Sequence, residues 1–210
     1  MHRKLTMLAG AILAALVSTA VLAAENDLTT IIHAGNLLSI PGKSPSSRQS
    51  LIIKNGRIEA IQNGFVSAAN LGRENTKIID LSDEFVLPGM MDMHVHLTSN
   101  AGSRPQLART FEADRAMIAV GNARKTLLAG FTTVRDVGAA SAQAIVAVRD
   151  AINQGITPGP RIYAAGRSIS ATAGHGDSRG LREDIGGLIL SSGVCDGVDA
   201  CRKAVRDQYK

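Results

Sequence analysis

The sequence contains no tryptophan and only 3% aromatic residues, too few for a surface that holds nucleic acid by stacking on bases. A strong excess of one charge is missing too. The formal net charge is +5. Setting aside Arg3 and Lys4, which lie in a segment expected to be removed, takes the 23 basic residues to 21 against 18 acidic ones, a net of +3. No basic patch argues for a nucleic-acid partner. Cysteine is nearly absent: Cys195 and Cys201 are the only two in 210 residues, and without a Cys-x-x-Cys spacing they offer no thiolate metal site. Within one continuous helix their Cα atoms would stand about 9 Å apart, too far to bridge. An Asp196-Gly197 turn ahead of the helix brings a bridge within reach, so a disulfide and two separate thiols both stand as alternatives.

What is present is ordinary for a globular chain: 45% hydrophobic and 20% charged residues, enough for one large domain or two small ones. Residues 1–24 have the three-part layout of a secretory signal peptide: a basic start at His2-Arg3-Lys4, an apolar run from Leu5 to Leu22, and small residues at Ala23-Ala24. The competing alternative is a retained membrane anchor, because the run is near the length that spans a bilayer. Either way the remainder is expected outside the cytoplasm, periplasmic or secreted, and touches a membrane only through this segment if it stays uncleaved.

From Glu25 to Leu87 the chain reads as short strands and turns. TTIIH (Thr29 to His33), SLIIK (Ser50 to Lys54), RIEAIQ (Arg57 to Gln62, after the Asn55-Gly56 hairpin signal) and KIIDL (Lys77 to Leu81) are β-rich. Pro41 to Ser50 and much of Asn63 to Asn75 are expected as surface loops. His33, alone at a strand end, is expected to be structural or solvated. From Met90 onward strands alternate with helices: strand Met90 to His96, helix Thr110 to Leu128, strand Phe131 to Val137, helix Ala140 to Asn153, strand Arg161 to Ala165, and a last helix from about Asp199 to Tyr209. Phe111, Met117, Val120, Arg124 and Leu127 mark the first helix as amphipathic, and Gly130 and Gly155 stop the first two helices. This alternation predicts an α/β fold with parallel βα units.

The stretch VLPGMMDMHVHL, Val86 to Leu97, is the focus of the chain. A period of two on a strand turns His94 and His96 to one face, where two neutral imidazoles can grip one ion of the zinc type. The same spacing also arises by chance, with one histidine buried and the other solvated. Asp92 shares that parity and is read as support. Arg135 and Asp136 close the second strand and are expected as an internal ion pair. His175, in Gly174-His175-Gly176-Asp177, has a substrate-binding role and a loop-stabilising role as its two alternatives.

VLPGMMDMHVHL resembles the first barrel strand of the metal-dependent amidohydrolase superfamily. LLAGFTTVRDVGA (Leu127 to Ala139), GPRIYAAGRSIS (Gly159 to Ser170), TAGHGD (Thr172 to Asp177) and DGVDACRKAVRDQ (Asp196 to Gln208) follow in order. Together they are similar to the imidazolonepropionase-like and Xaa-Pro dipeptidase-like (prolidase-type) branch, from about Ile31 to the last residue. The resemblance implies the N-terminal part of a small β-sandwich over residues 25–87. It implies, over residues 88–210, the first three βα units of an incomplete TIM-type (βα)8 barrel, since a closed barrel takes about 250 residues.

The resemblance also implies one or two divalent ions, zinc foremost, with His94 and His96 holding the more buried one. The remaining ligands, a carboxylated lysine or glutamate, two histidines and an aspartate, come from later strands, and the general base is expected beyond Lys210. Lys210 itself ends the third helix and is not the bridging lysine. The implied reaction is hydrolysis of a C–N bond in a small molecule or dipeptide, with proline or a basic residue in second position, by an enzyme of which this chain is the N-terminal part. The alternatives are a non-catalytic remnant or interaction module with an incomplete metal site, and a half-barrel binding protein closed by homo-oligomerisation.

Overall fold

The computed structural model describes residues 28–99, 109–177, 182 and 193–208; the expected signal segment lies outside them. The chain divides into two compact units, one ending at Pro88 and one beginning at Gly89. No helix among the described residues is long and apolar enough to cross a membrane.

In the first unit β1 (Thr29–Leu37), β2 (Ser46–Lys54), β3 (Arg57–Asn63) and β4 (Thr76–Val86) form one mixed sheet in the order β3-β2-β1-β4, with a short helix α1 (Ala68–Leu71) before β4. Asn55 and Gly56, at φ 52° and 69°, make the tight hairpin between β2 and β3, the conformation that an Asn-Gly pair is suited to. β1 runs antiparallel to β2 and parallel to β4. Ala34, Leu37 and Leu51 form the buried cluster, with Ile32 and Val86 against it. Two expectations are corrected. β2 begins at Ser46 rather than Ser50, because Ser46 and Ser47 pair with Leu37 and Asn36 and Ser47 Oγ donates to Asn36 Oδ1 at 3.1 Å. β4 extends from Thr76 to Val86, held by its parallel ladder to β1. The β2 extension is a polar run in which pairing, not hydrophobic alternation, makes the strand; the β4 extension passes through Ser82-Asp83-Glu84 before Phe85 and Val86 pair again with β1. His33 is structural: its Nε2 lies 2.9 Å from the Val66 carbonyl and its ring stacks on Phe65 at 5.0 Å.

The second unit contains β5 (Met90–Val95), α2 (Glu112–Leu128), β6 (Phe131–Asp136), α3 (Ala142–Asn153), β7 (Arg161–Ala164), β8 (Ile169–Ser170), β9 (Gly193–Val194) and α4 (Val198–Gln208). β5, β6 and β7 lie in that order in a parallel sheet, and β8 pairs parallel with β9. Val134 and Ile162, paired across β6 and β7, join Leu97, Ala119, Ala123, Ile145 and Val148 in the core. The buried stripe of α2 differs from the expected one. Arg115, Ala119 and Ala123 are buried, at the i, i+4, i+8 spacing of one helix face, whereas Phe111 and Met117 are 77% and 70% exposed. The alanines let α2 approach its neighbours closely; of the expected residues Val120 packs against the core, while Phe111 and Met117 are turned outward. Gly130 and Gly155, at φ 93° and 72°, follow α2 and α3 as the expected stops.

Cys195 and Cys201 form a disulfide with Cα atoms 5.0 Å apart. Cys195 precedes α4 and Gly197 turns the chain at φ 81°, so the two cysteines do not share a continuous helix and the 9 Å obstacle does not arise.

Candidate metal centre

His94 lies near the end of β5 and His96 one residue beyond it. Both imidazoles are exposed, and their ring centres are 5.3 Å apart with planes at 77°. Two imidazoles that share one tetrahedral zinc, each with a Zn–N bond of about 2.0–2.1 Å, have ring centres roughly 5 Å apart, a spacing that the pair matches.

The segment that carries His96 is tied from several sides. Leu97 N–H donates to Asp136 Oδ2 at 2.8 Å, and Asn122 Nδ2 donates to the Leu97 carbonyl at 2.8 Å. Ala140 N–H donates to Thr98 Oγ1 at 2.8 Å. The ring has its own anchor: His96 Nδ1 lies 2.8 Å from the Gly138 carbonyl. A carbonyl only accepts, so Nδ1 carries the proton and Nε2 keeps its lone pair, the tautomer a metal-binding imidazole needs. A Cβ at Gly138 would oblige the Ser168 hydroxyl to turn aside and would lie in ordinary contact, 3.6 Å, with His96 Cε1.

The register between β5 and β6 shifts between Asp92 and Val95: Asp92 pairs with Val134 and Val95 with Asp136. One extra residue sits in β5 at this bulge, a feature that re-aims side chains next to functional sites. Strict alternation therefore does not carry from His94 back to Asp92. Asp92 Oδ1 accepts the His94 backbone N–H at 3.0 Å, which is a supporting contact.

The expected Arg135–Asp136 ion pair is corrected. Neighbours on a strand point to opposite faces, and the two side chains go separate ways. Arg135 Nε donates to the Met93 carbonyl at 2.8 Å. Asp136 is fully buried and accepts from Leu97 N–H and, at 3.2 Å, from Gly138 N–H. Burial pushes its carboxyl above the ordinary aspartate value, against the pull of those two amides and the nearby His96.

His175 is exposed in the turn after β8, and among the described residues its ring makes no hydrogen bond or ring contact to His94 or His96. Other groups hold its turn. Ala173 N–H donates to Asp177 Oδ2 at 2.7 Å, Gly176 N–H donates to Ser170 Oγ at 3.2 Å, and Thr172 donates to Asp196 through both N–H and Oγ1. Gly174 packs so tightly on Ser170 Oγ and Ala171 that a Cβ would not fit. That glycine serves the packing of the loop itself.

Among the described residues no group of three His, Cys, Asp or Glu side chains is placed to hold an ion; His94 and His96 are the pair brought together. The contributions of the Gly138 carbonyl and of the Asp136 carboxylate are invisible in sequence, one because it is main chain and the other because it acts on main chain. Gly138 following the strand is the one residue-level signal.

Residues 85–210 match the amidohydrolase family. Ochratoxinase of Aspergillus niger is 28% identical over 206 aligned residues, covering 86% of this chain and 40% of the relative. The chain is similar in structure to a Xaa-Pro dipeptidase with bound methionine in its active site, at 37% identity and a TM-score of 0.74 over 86% of this chain and 44% of the other. A prolidase complexed with N-methylphosphonate-L-proline aligns at 26% identity with a TM-score of 0.70, covering 86% and 44%. The chain thus spans less than half the length of the proteins it is similar to.

Proposed function

This chain belongs to the amidohydrolase family, and on that premise we propose that it forms the first part of a metal site in a hydrolase of C–N bonds acting on dipeptides of the Xaa-Pro type or related small amides. The observation that carries the proposal is the pairing of His94 with His96, together with the Nδ1 contact that leaves His96 Nε2 directed away from Gly138. Likeness to a Xaa-Pro dipeptidase and a prolidase supports the substrate class. In this proposal the first unit supplies part of a small β-sandwich, and β5, β6 and β7 with their helices are the first three βα units of a (βα)8 barrel. His175 takes a substrate-facing place on the loop after β8.

A divalent ion held by His94 and His96, zinc first among the candidates, supplies Lewis-acid polarisation of a carbonyl and makes water more acidic. The chain's own part is to aim both imidazoles. His96 is aimed by Gly138, and His94 is seated at the β5 bulge, where Asp92 holds its backbone N–H. The remaining ligands and the proton-transferring base belong to segments outside the described residues. Export through a cleaved signal peptide completes the proposal. The Cys195–Cys201 bridge supports it, because such bridges persist in oxidising compartments.

The test is metal content and turnover of the purified chain beside a His94→Ala/His96→Ala variant, with Xaa-Pro dipeptides and cyclic amides as substrates. Metal bound by the parent and lost in the variant is the expected result, with turnover expected once the segments that supply the remaining ligands and the base are joined to the chain. Absence of bound metal in the parent chain after zinc loading would overturn the proposal. A second reading, a non-catalytic module with an incomplete site, is favoured by the lack of a third ligand among the described residues; metal bound without turnover even when the segments carrying the remaining ligands and the base are joined is its signature.

A further inference from the structure

Asp136 is an aspartate with no exposed surface that forms no ion pair among the described residues. Burying a carboxyl costs free energy unless its oxygens are satisfied, and the chain satisfies both oxygens with main-chain amides. One is Leu97 N–H, at 2.8 Å, the peptide immediately after His96. The other is Gly138 N–H, at 3.2 Å, in the residue whose carbonyl meets His96 Nδ1 at 2.8 Å. The two amides are 41 positions apart in sequence, and a single side chain fixes both. One bond sets the backbone from which the imidazole hangs, and the other sets the residue whose carbonyl orients it. Arg135, the preceding residue, reaches the same stretch of β5 from its own side through the Met93 carbonyl.

We propose that Asp136 is the positioning residue for His96: by clamping Leu97 and Gly138 it fixes the Gly138 carbonyl on Nδ1 and so selects the tautomer that presents Nε2. The proposal rests on the reading of His94 and His96 as a metal-holding pair, but its first consequence is a property of the imidazole without any ion. An asparagine at 136 keeps one acceptor and sets an NH2 group against the other amide, so one arm of the clamp is lost. A glutamate keeps both acceptors and displaces them by one methylene.

The experiment is nitrogen NMR of the His96 ring in the metal-free chain, at a pH above the imidazole titration range, for the parent, Asp136→Asn, Asp136→Glu and a control, Thr98→Ala. Thr98 is buried and accepts from Ala140 N–H in the same segment, so its variant reports general loosening without touching the clamp. The expected result is Nδ1–H in the parent and in the control, and a mixture of both tautomers in Asp136→Asn, with partial return in Asp136→Glu. Zinc titration of the same proteins is expected to show a loss of roughly 10- to 100-fold in affinity for Asp136→Asn, the usual size for an outer partner of a ligating histidine. An unchanged tautomer in Asp136→Asn would overturn the proposal. Should that variant fail to fold, the parent still decides: a His96 ring carrying its proton on Nε2 sinks the proposal, and one carrying it on Nδ1 sustains it. Failure of the parent to bind zinc, with the tautomer shift intact, strikes the metal reading and leaves the clamp standing.

Discussion

His96 and Gly138 are 42 residues apart in sequence, and the imidazole Nδ1 of one stands 2.8 Å from the carbonyl oxygen of the other. The contact joins the end of β5 to the turn after β6, two segments that a parallel sheet necessarily places side by side. Independently of that contact, a Cβ at residue 138 would meet Ser168 Oγ.

Gly138→Ala is therefore expected to destabilise the second unit by about 1 kcal/mol, the low end for overpacking, because the Ser168 hydroxyl can turn aside. The measurement is the urea midpoint of Gly138→Ala beside Gly138→Ala/Ser168→Ala. Removing the Ser168 hydroxyl should restore most of the loss, and an equal loss in the double variant would count against the collision as its cause.

The Cys195–Cys201 bridge closes a short loop, for which the chain-entropy account gives about 2 kcal/mol of stabilisation. Its local effect should be larger than its global one. Cys195 N–H donates to the Ser170 carbonyl at 2.8 Å, and Asp196 holds Thr172, so the bridge secures the turn that carries His175. Hydrogen exchange in Cys195→Ser/Cys201→Ser should rise at Thr172, Ala173 and Gly176 while Val134 and Ile145 stay protected. Uniform acceleration across the unit would refute this.

The Asp196 carboxyl is held below the ordinary aspartate value, first by the Thr172 hydroxyl and then by the Thr172 amide. A folded value below the unfolded one means that the unfolded chain binds more protons between the two. The stabilisation is present above the unfolded value and is lost as pH falls through the folded one. Carboxyl-carbon NMR should place the Asp196 titration below those of unpaired aspartates. In Thr172→Val, which keeps the amide and loses the hydroxyl, it should move upward without fully returning to the usual value.

Ser141 caps α3 by accepting from Ala144 N–H at 3.1 Å, and its hydroxyl donates to Glu112 Oε1 at 2.9 Å, in the first turn of α2. Ser141→Ala should cost about 1 kcal/mol, the typical worth of a cap. Ser141→Asp keeps the acceptor but sets a second carboxylate against Glu112, so its urea midpoint should fall as well. A midpoint in Ser141→Asp above the parent would show that the contact with Glu112 contributes nothing.

Much of the second unit was legible in sequence because hydrophobic period and stop residues are local properties. The expected strand Phe131 to Val137 and helix Ala140 to Asn153 differ from β6 and α3 by one or two residues at their ends, the usual range for element boundaries. The buried face of α2 was not legible. An alanine stripe and a stripe of large apolar residues are equally consistent with helical spacing, and only the closeness of the packed neighbours selects Ala119 and Ala123 over Phe111 and Met117. Polar strand ends such as Ser46 and Ser47 were hidden for a related reason: their partner strand, not their composition, makes them extended.

The sequence by itself determined the α/β order of elements from Met90 onward, the family, and the presence of His94 and His96 on one short stretch, since each depends on residue type and spacing along the chain. Only the tertiary structure decided which nitrogen of His96 is left for a ligand, that Asp136 binds two amides rather than Arg135, and that Cys195 reaches Cys201. Those outcomes depend on backbone groups brought together from distant segments and on a bulge and a turn that break the regular periods. A hydrogen bond to a carbonyl carries no side-chain signature, so no pattern of residues could announce it.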